Sequence, residues 1–405
     1  MISEKINILY VSNLCSERLI GEMLLAETGM PNLAAQKYHR LLAQGIAMNK
    51  DLFNINVISV PEYSHSPTGK KWIRLKSEFE KDVKYDYSPI LFFPVIKRLI
   101  IVLFLLIKII KYRLVSDSRK NYIVFDILNL STSFISIISS KIFRFKSIAI
   151  VTDLPEMMYV LQPKIHFLNK VTYSIKNNLL KISDGYVFLT KEMNFKINER
   201  KKPFCIIEGL ADLQTLSNIS IPNYASNKII HYSGGLFEKF GVKALIEAFM
   251  LISRDDIRLQ LFGNGDLTEF IAECQKKDSR IEFFGYKNNP FVLDHQQNSF
   301  VLVNPRFSKG EYNLYSFPSK TIEYMSSGIP LLSTKLPGIP QEYFEHIFFF
   351  KDETVNGYKT SLTELLNKPK EEMKIFGENA RKFLLAQKNN SLQAKKLHHF
   401  IINNL

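Results

Sequence analysis

Apolar positions along the chain fall into two alternating patterns. Residues 6–11, 56–60, 122–128, 147–151 and 185–189 are short runs rich in β-branched residues, as expected of strands buried on both faces. Between them, residues 34–47, 134–143 and 167–182 carry longer, helix-like spacing. Such βα alternation predicts a parallel, doubly wound sheet. After residues 204–207, the stretch 217–227 is rich in Ser, Asn and Pro and reads as a linker. The alternation then restarts, with strands expected at 229–232, 259–262, 281–284 and 300–303 and helices at 242–252 and 267–276. Val242, Leu245, Ile246, Phe249 and Met250 fall on one helical face at i, i+3, i+4, i+7 and i+8. The expectation is an α/β chain of two Rossmann-like domains, residues 1–210 and 228–385, joined by a linker at 211–227. A helix over 386–405 is expected to return to the first domain. Ligands of such sheets bind beyond the carboxyl ends of the strands, so two domains facing each other would enclose a central cleft. Residues 62–87, polar and lysine-rich, read as a mobile loop.

Composition narrows the class. With 405 residues, 46% of them hydrophobic, the chain can bury two or three separate cores. Cys15, Cys205 and Cys274 are far apart with no CxxC, which suits a reducing cytoplasm. The eight histidines include no HExxH, and no metal site is expected; His398 and His399 read as a polar pair at a helix end. The net charge of +14 is uneven: residues 1–200 hold 28 Lys and Arg against 17 Asp and Glu (+11), leaving 25 against 22 (+3). A basic N-terminal half suits anionic lipid or a phosphorylated substrate. Nucleic acid is the weakest partner, because no zinc-finger or RNA-binding signature accompanies the charge. Neither a basic leader nor a cleavable apolar region precedes the first strand, so no secretory signal is expected. The most apolar stretch, residues 94–114, has an uninterrupted core of only 99–107, flanked by Lys97, Arg98, Lys108, Lys111 and Arg113. That is short of the roughly 20 apolar residues a spanning helix needs. It fits an interfacial amphipathic helix and equally a buried helix of an α/β domain.

Candidate chemistry concentrates in the second half. In HYSGGLFEKFGVKALIEAF, starting at His231, a strand ends in Gly234-Gly235 and a helix begins a few residues later. Glycines there let N–H groups approach a phosphate, and the helix N-terminus adds partial positive charge. Lys239 stands where an ammonium could neutralise a diphosphate. A Gly-Gly strand-to-helix turn also arises for steric reasons alone. The second segment, VNPRFSKGEYNLYSFPSKTIEYMSSGIPLLSTKLPGIP, starts at Val303. Residues 316–320 form a tight loop ahead of a helix carrying Glu323, Tyr324 and Met325, with Pro318 suited to its first turn. The amides of Ser319 and Lys320 would then be free donors. Glu323 could accept two hydrogen bonds from a ribose diol, or be an N-terminal acid stabilised by the helix dipole.

Together these two segments resemble the donor half of family-4-like GT-B glycosyltransferases. The Gly234 to Lys239 turn is similar to the family's strand–Gly-Arg–x–Lys diphosphate loop, and SFPSKTIEYMSSGIPLL to its ribose-binding acidic helix. NPR…YSFPSK…EYMSSG…LPGIP, with AAQKYHRLLAQG, VTDLPEMM, SDGYVFLTKEM and IIEGLAD in the first half, resembles a subgroup from capsule, exopolysaccharide and O-antigen assembly. The resemblance covers most of the chain and is strongest over 228–340. It implies a retaining, metal-independent hexosyltransferase that needs no cofactor beyond its UDP- or GDP-linked donor sugar. The implied acceptor is a polyprenyl-diphosphate-linked glycan, met by a peripheral protein on the cytoplasmic face of the plasma membrane. Gly234, Gly235, Lys239, Gly263, Tyr286, Ser316, Pro318, Ser319, Lys320 and Glu323 would surround the donor, with Lys239 and Glu323 closest to the chemistry. Asp153 would be the base or acceptor anchor, although it could equally cap the turn ahead of Pro155; Glu156 is the second choice.

The chain departs from the family pattern at three places. Of two glutamates eight positions apart, Glu323 matches the second, whereas Tyr315 stands at the first. Gly235 occupies the position of the loop arginine, and Thr152 that of a histidine many relatives carry. Donor identity and anomeric outcome therefore stay open, as do two other readings. A GT-B sugar-nucleotide epimerase would share the pocket but need several acid/base groups, and a non-catalytic nucleotide-sugar-binding partner would need none.

Overall fold

The computed structural model describes residues 5–28, 32–67, 69–116, 120–155, 167–218 and 228–405. The chain divides into two compact units, residues 1–210 with 389–405, and residues 211–388.

The strands of the first unit are β1 (Ile6–Ser12), β2 (Phe53–Ser59), β3 (Trp72–Ile73), β4 (Glu78–Glu80), β5 (Val83–Tyr87), β6 (Ile90–Leu91), β7 (Asn121–Asp126), β8 (Lys146–Val151), β9 (Gly185–Phe188) and β10 (Phe204–Ile206). Its helices up to residue 210 are α1 (Glu17–Leu25), α2 (Leu33–Met48), α3 (Pro94–Val115), α4 (Leu130–Phe143), α5 (Phe167–Ile182) and α6 (Lys191–Ile197). Eight strands form one sheet in the order β10-β9-β8-β7-β1-β2-β5-β4, parallel except for β4 at its edge. Every residue of β1 and β7 is buried, as a central strand in a doubly covered sheet requires. Side chains begin α1 and α2: Ser16 accepts from the Leu19 N–H, and Asn32 from the Ala35 N–H.

Two expectations change here. Residues 62–87 are not one loop, because β3, β4 and β5 lie within them. The alternating Val83, Tyr85 and Tyr87 are buried on one face of β5, which pairs edge to edge with β2, and this period of two is hidden among the lysines. Residues 94–114 form a single helix that is neither wholly buried nor wholly superficial: Ile101, Leu105 and Ile109 are core while Leu99, Leu103 and Ile107 are exposed. Among its cations, Lys108 is tied to Asp86 at 2.9 Å.

The second unit contains α7 (Leu213–Asn218), β11 (Lys228–Ser233), α8 (Val242–Met250), β12 (Ile257–Phe262), α9 (Thr268–Lys277), β13 (Ile281–Gly285), α10 (Asn289–Gln297), β14 (Val301–Asn304), α11 (Ser319–Ser327), β15 (Leu331–Ser333), β16 (Phe348–Phe349), α12 (Val355–Leu366) and α13 (Lys370–Phe383). Residues 217 and 218 of the expected linker close α7, and 219–227 lie outside the described residues. The sheet is parallel, in the order β13-β12-β11-β14-β15-β16. Val242, Leu245, Ile246 and Phe249 of α8 are fully buried against Ile230, Leu259, Leu261 and Val303 of the sheet. The last helix, α14 (Asn390–Asn404), belongs to the first unit and packs on α2, where the Asn49 amide donates to the Ser391 carbonyl at 3.0 Å.

Candidate active site

Strand order in the second sheet runs outward from β11 on one side and from β14 on the other, so it reverses between them. Beyond the carboxyl ends at such a reversal the connections diverge and leave a crevice. β11 leads there into Gly234-Gly235, and β14 into Pro305-Arg306.

α11 is fastened to the end of β11. The Tyr324 hydroxyl accepts from the Ser233 N–H at 3.0 Å and donates to the Ser233 carbonyl at 3.0 Å. The Lys320 ammonium donates to Glu323 Oε1 at 2.9 Å and lies 3.5 Å from Ser233 Oγ. Burial pulls the Lys320 pKa down, but the adjoining Tyr324 and Glu323 outweigh it and hold the pKa above its ordinary value. Lys320 is therefore a cation, and it fixes the orientation of the Glu323 carboxylate. Pro318 stands at the N-cap rather than in the first turn, with the helix opening at Ser319. The N–H groups of Ser319 and Lys320 still lack an intrahelical acceptor, since every α-helix leaves its first donors free. The Ser316 carbonyl packs directly on Gly338.

Two glycines bring the turns together. Gly263 has φ +130°, and a Cβ there would lie 1.8 Å from the Gly234 carbonyl oxygen. Gly241 has φ +71°, and its Cβ would lie 1.9 Å from the Pro305 carbonyl oxygen. No other residue allows both the backbone angle and the approach. The loop after β11 is thereby pressed against the turn after β12 and the segment after β14.

Lys239 is exposed on this loop, its ammonium 5.6 Å from the Phe237 ring and 5.3 Å from that of Phe240. The Arg306 guanidinium approaches the same Phe240 ring at 5.6 Å and Tyr312 at 4.6 Å. Among the described residues Arg306 Nε is buried with no hydrogen-bond partner. Sequence reasoning missed Arg306. The signal was its place directly after a strand end, which gains meaning only once the strand order is known. Beneath the site, His231 on β11 is fully buried, its ring stacked on Phe262 at 4.9 Å, and among the described residues neither nitrogen has a hydrogen-bond partner. Burial, reinforced by Lys320, pushes its pKa down to about 3.

The structure thus brings Gly234, Gly235, Gly263, Lys320 and Glu323 to one end of β11, with Lys239 further along the same loop. Tyr286 is exposed directly after β13. Tyr315, half-buried, follows a short 3-10 turn, Glu311–Asn313. Asp153 is in the first unit, two residues beyond β8 and half-buried; Glu156 lies outside the described residues. Among the described residues no group of three His, Cys, Asp or Glu is placed to hold a metal ion. No described helix is long and apolar enough to cross a membrane.

Two Rossmann-like domains in one chain, the second with a glycine turn and a helix N-terminus at the reversal of its strand order, have the GT-B architecture. Residues 217–383 match the family model described as glycosyl transferases group 1, so the second unit carries a glycosyltransferase domain of that group. Sucrose-phosphate synthase from Thermosynechococcus elongatus is similar in fold, with a TM-score of 0.64 at 14% identity over 98% of this chain and 99% of that one. HepE of Anabaena, in complex with UDP, gives 0.62 at 12% over 98% and 100%. The lipopolysaccharide outer core galactosyltransferase WaaB in its apo form gives 0.60 at 12% over 99% and 100%. No curated protein matches the chain.

Proposed function

We propose that this protein transfers a hexosyl group from a UDP- or GDP-linked donor to a glycan acceptor carried on polyprenyl diphosphate. On this reading it works in bacterial capsule, exopolysaccharide or O-antigen assembly, as a peripheral protein on the cytoplasmic face of the plasma membrane. The observation that carries the proposal is the meeting of the Gly234-Gly235 turn, the first turn of α11 and two cations at one strand reversal. Glu323, oriented by Lys320, would accept the ribose hydroxyls. As the glycosidic bond breaks, negative charge grows on the departing diphosphate. Amides of Gly235, Ser319 and Lys320, with Lys239 and Arg306, are the preorganised donors that would stabilise it without a metal. Asp153 would anchor or deprotonate the acceptor; a retaining course needs no dedicated base. HepE, similar in fold, has been crystallised with UDP and with UDP-glucose, which supports a nucleotide-sugar ligand.

Tyr315 and Gly235, where the family pattern has charged residues, favour one second reading, a nucleotide-sugar-binding partner without catalysis. The deciding assay follows nucleoside diphosphate release from a panel of nucleotide sugars, with and without a polyprenyl-linked acceptor and with chelator. Release that requires acceptor and survives chelation supports the metal-free transferase. Release without acceptor, with isomerised sugar, would mean an epimerase, and binding without any release the non-catalytic partner.

A further inference from the structure

α3 is an apolar helix that the fold covers on one side only. Ile101, Leu105 and Ile109 are 6%, 0% and 0% exposed, whereas Leu103, Ile107 and Leu114 are 50%, 53% and 81% exposed. Ile96, Leu99 and Ile110 complete the outward row. At about 100° per residue the six exposed side chains fall within an arc of roughly 80°, opposite the buried row, and they run for about 27 Å. A continuous aliphatic stripe of this length is unlike the single exposed leucines of ordinary surfaces.

Charge identifies what covers it. α3 contains five Lys and Arg and no Asp or Glu. Two of the five are engaged by the fold: Lys108 pairs with Asp86, and Lys97 donates to the Tyr63 carbonyl at 3.3 Å. Lys111 and Arg113 are exposed and flank the stripe, about 80° to either side of its centre, whereas exposed Arg98 lies on the opposite side of the helix. At the N-terminal end Phe93 is exposed too, with the Lys71 ammonium 5.7 Å from its ring. A second copy of the chain meeting this face across a two-fold axis would set the same cations against each other with no acid on the helix to relieve them. An anionic bilayer meets both features, taking the stripe into the headgroup–acyl boundary and the cations onto its headgroups.

We propose that the exposed face of α3 is a docking surface for an anionic lipid bilayer, on which the helix lies in the membrane plane. This deepens the reading of a lipid-linked acceptor and rests on it only for the biological source of the lipid; the donor site plays no part in it.

The test is co-sedimentation of the full chain with phosphatidylcholine vesicles and with vesicles containing phosphatidylglycerol, at low and high salt. Binding that requires the anionic lipid and falls with salt is expected. Lys111→Gln and Arg113→Gln together should weaken it on the order of twenty- to thirtyfold, roughly fivefold for each cation. Leu103→Ser with Ile107→Ser should release the protein while its melting temperature and lipid-free UDP and GDP affinity stay unchanged. Lack of binding at low salt, equal binding to neutral vesicles, or wild-type binding by the stripe variant overturns the proposal. So does a lipid-free dimer, seen by sedimentation, that the stripe variant dissociates. Nucleotide affinity measured without vesicles reports separately on the donor site.

Discussion

His231 offers a quantitative test of how the floor of the candidate site is built. Its ring lies fully buried beside Phe262 and Tyr324, among the described residues neither nitrogen has a partner, and burial pushes its pKa down to about 3. An unfolded histidine titrates near 6.5. Between those values the unfolded chain binds a proton that the native chain refuses, so stability falls as pH falls from about 6.5 towards 3. At pH 5 the unfolded side chain is almost wholly protonated while the native one is neutral. The gap of about 1.5 units from 6.5 corresponds to roughly 2 kcal/mol, and at pH 7 almost none of that loss has appeared. In His231→Leu this component is absent. The variant also removes a buried ring nitrogen with nothing to bond, so it should be near neutral or slightly stabilised at pH 7. Urea unfolding of the full chain and the variant at pH 7 and pH 5 isolates the effect, because every other titrating group is shared. The wild type should lose about 2 kcal/mol more than the variant between the two pH values. Parallel pH dependence would mean the imidazole is charged in the folded protein, and the burial argument would be wrong.

Glu323→Ala should weaken binding of the cognate nucleoside and its nucleotide sugar alike by about 1.5–3 kcal/mol, read by calorimetry; unchanged affinity in a folded variant removes the ribose role. Arg306→Gln should weaken nucleoside diphosphate binding about tenfold or more while leaving the free nucleoside unaffected, and equal loss for both would make the arginine structural. Lys239→Ala should show the same diphosphate selectivity with a smaller loss, because its exposed ammonium is better screened. Gly263→Ala should lower stability by about 2 kcal/mol or more, since both its φ and the Gly234 carbonyl resist a Cβ; a melting temperature within one degree of wild type contradicts the close approach.

What the sequence made legible followed from strong local signals. β1, β7 and β11 are β-branched runs buried along most or all of their length, and α8 carries a helical stripe that nothing interrupts. Their existence and order, and from them the doubly wound class, could be read before any coordinates. Weak local signals failed: β4 and β5 carry Glu78, Glu80, Lys84 and Asp86 among their apolar positions, and only pairing, of β5 with β2 and of β4 with β5, makes them strands. Pro318 illustrates a boundary error of one residue, within the scatter expected where a proline fits both the cap and the first turn. Arg306 belongs to a different kind of omission. It lies within the NPR that carries part of the resemblance, but its role does not show there, because Phe240, the ring it shares with Lys239, comes from another part of the chain.

With Gly235 in place of the loop arginine, Lys239 is the only matched cation of that loop. The fold brings a second cation, Arg306, from beyond β14 to the same Phe240 ring as Lys239. A guanidinium lying over aromatic rings, as Arg306 does over Phe240 and Tyr312, is pre-oriented and weakly hydrated, so it loses little on meeting a phosphate. Gly235 itself is then not a simple loss. A Cβ at that position would lie 2.8 Å from the Phe237 ring and 3.0 Å from the Phe240 ring, so the absent side chain is what lets both rings fold over the loop. Gly235→Arg would therefore not restore the family's site. It would push Phe237 and Phe240 outward, loosen Arg306, and exchange one cation for another. Measured against wild type, that variant should gain no affinity for a nucleoside diphosphate despite its added charge, whereas a gain of fivefold or more would mean that Arg306 takes no part in holding the diphosphate.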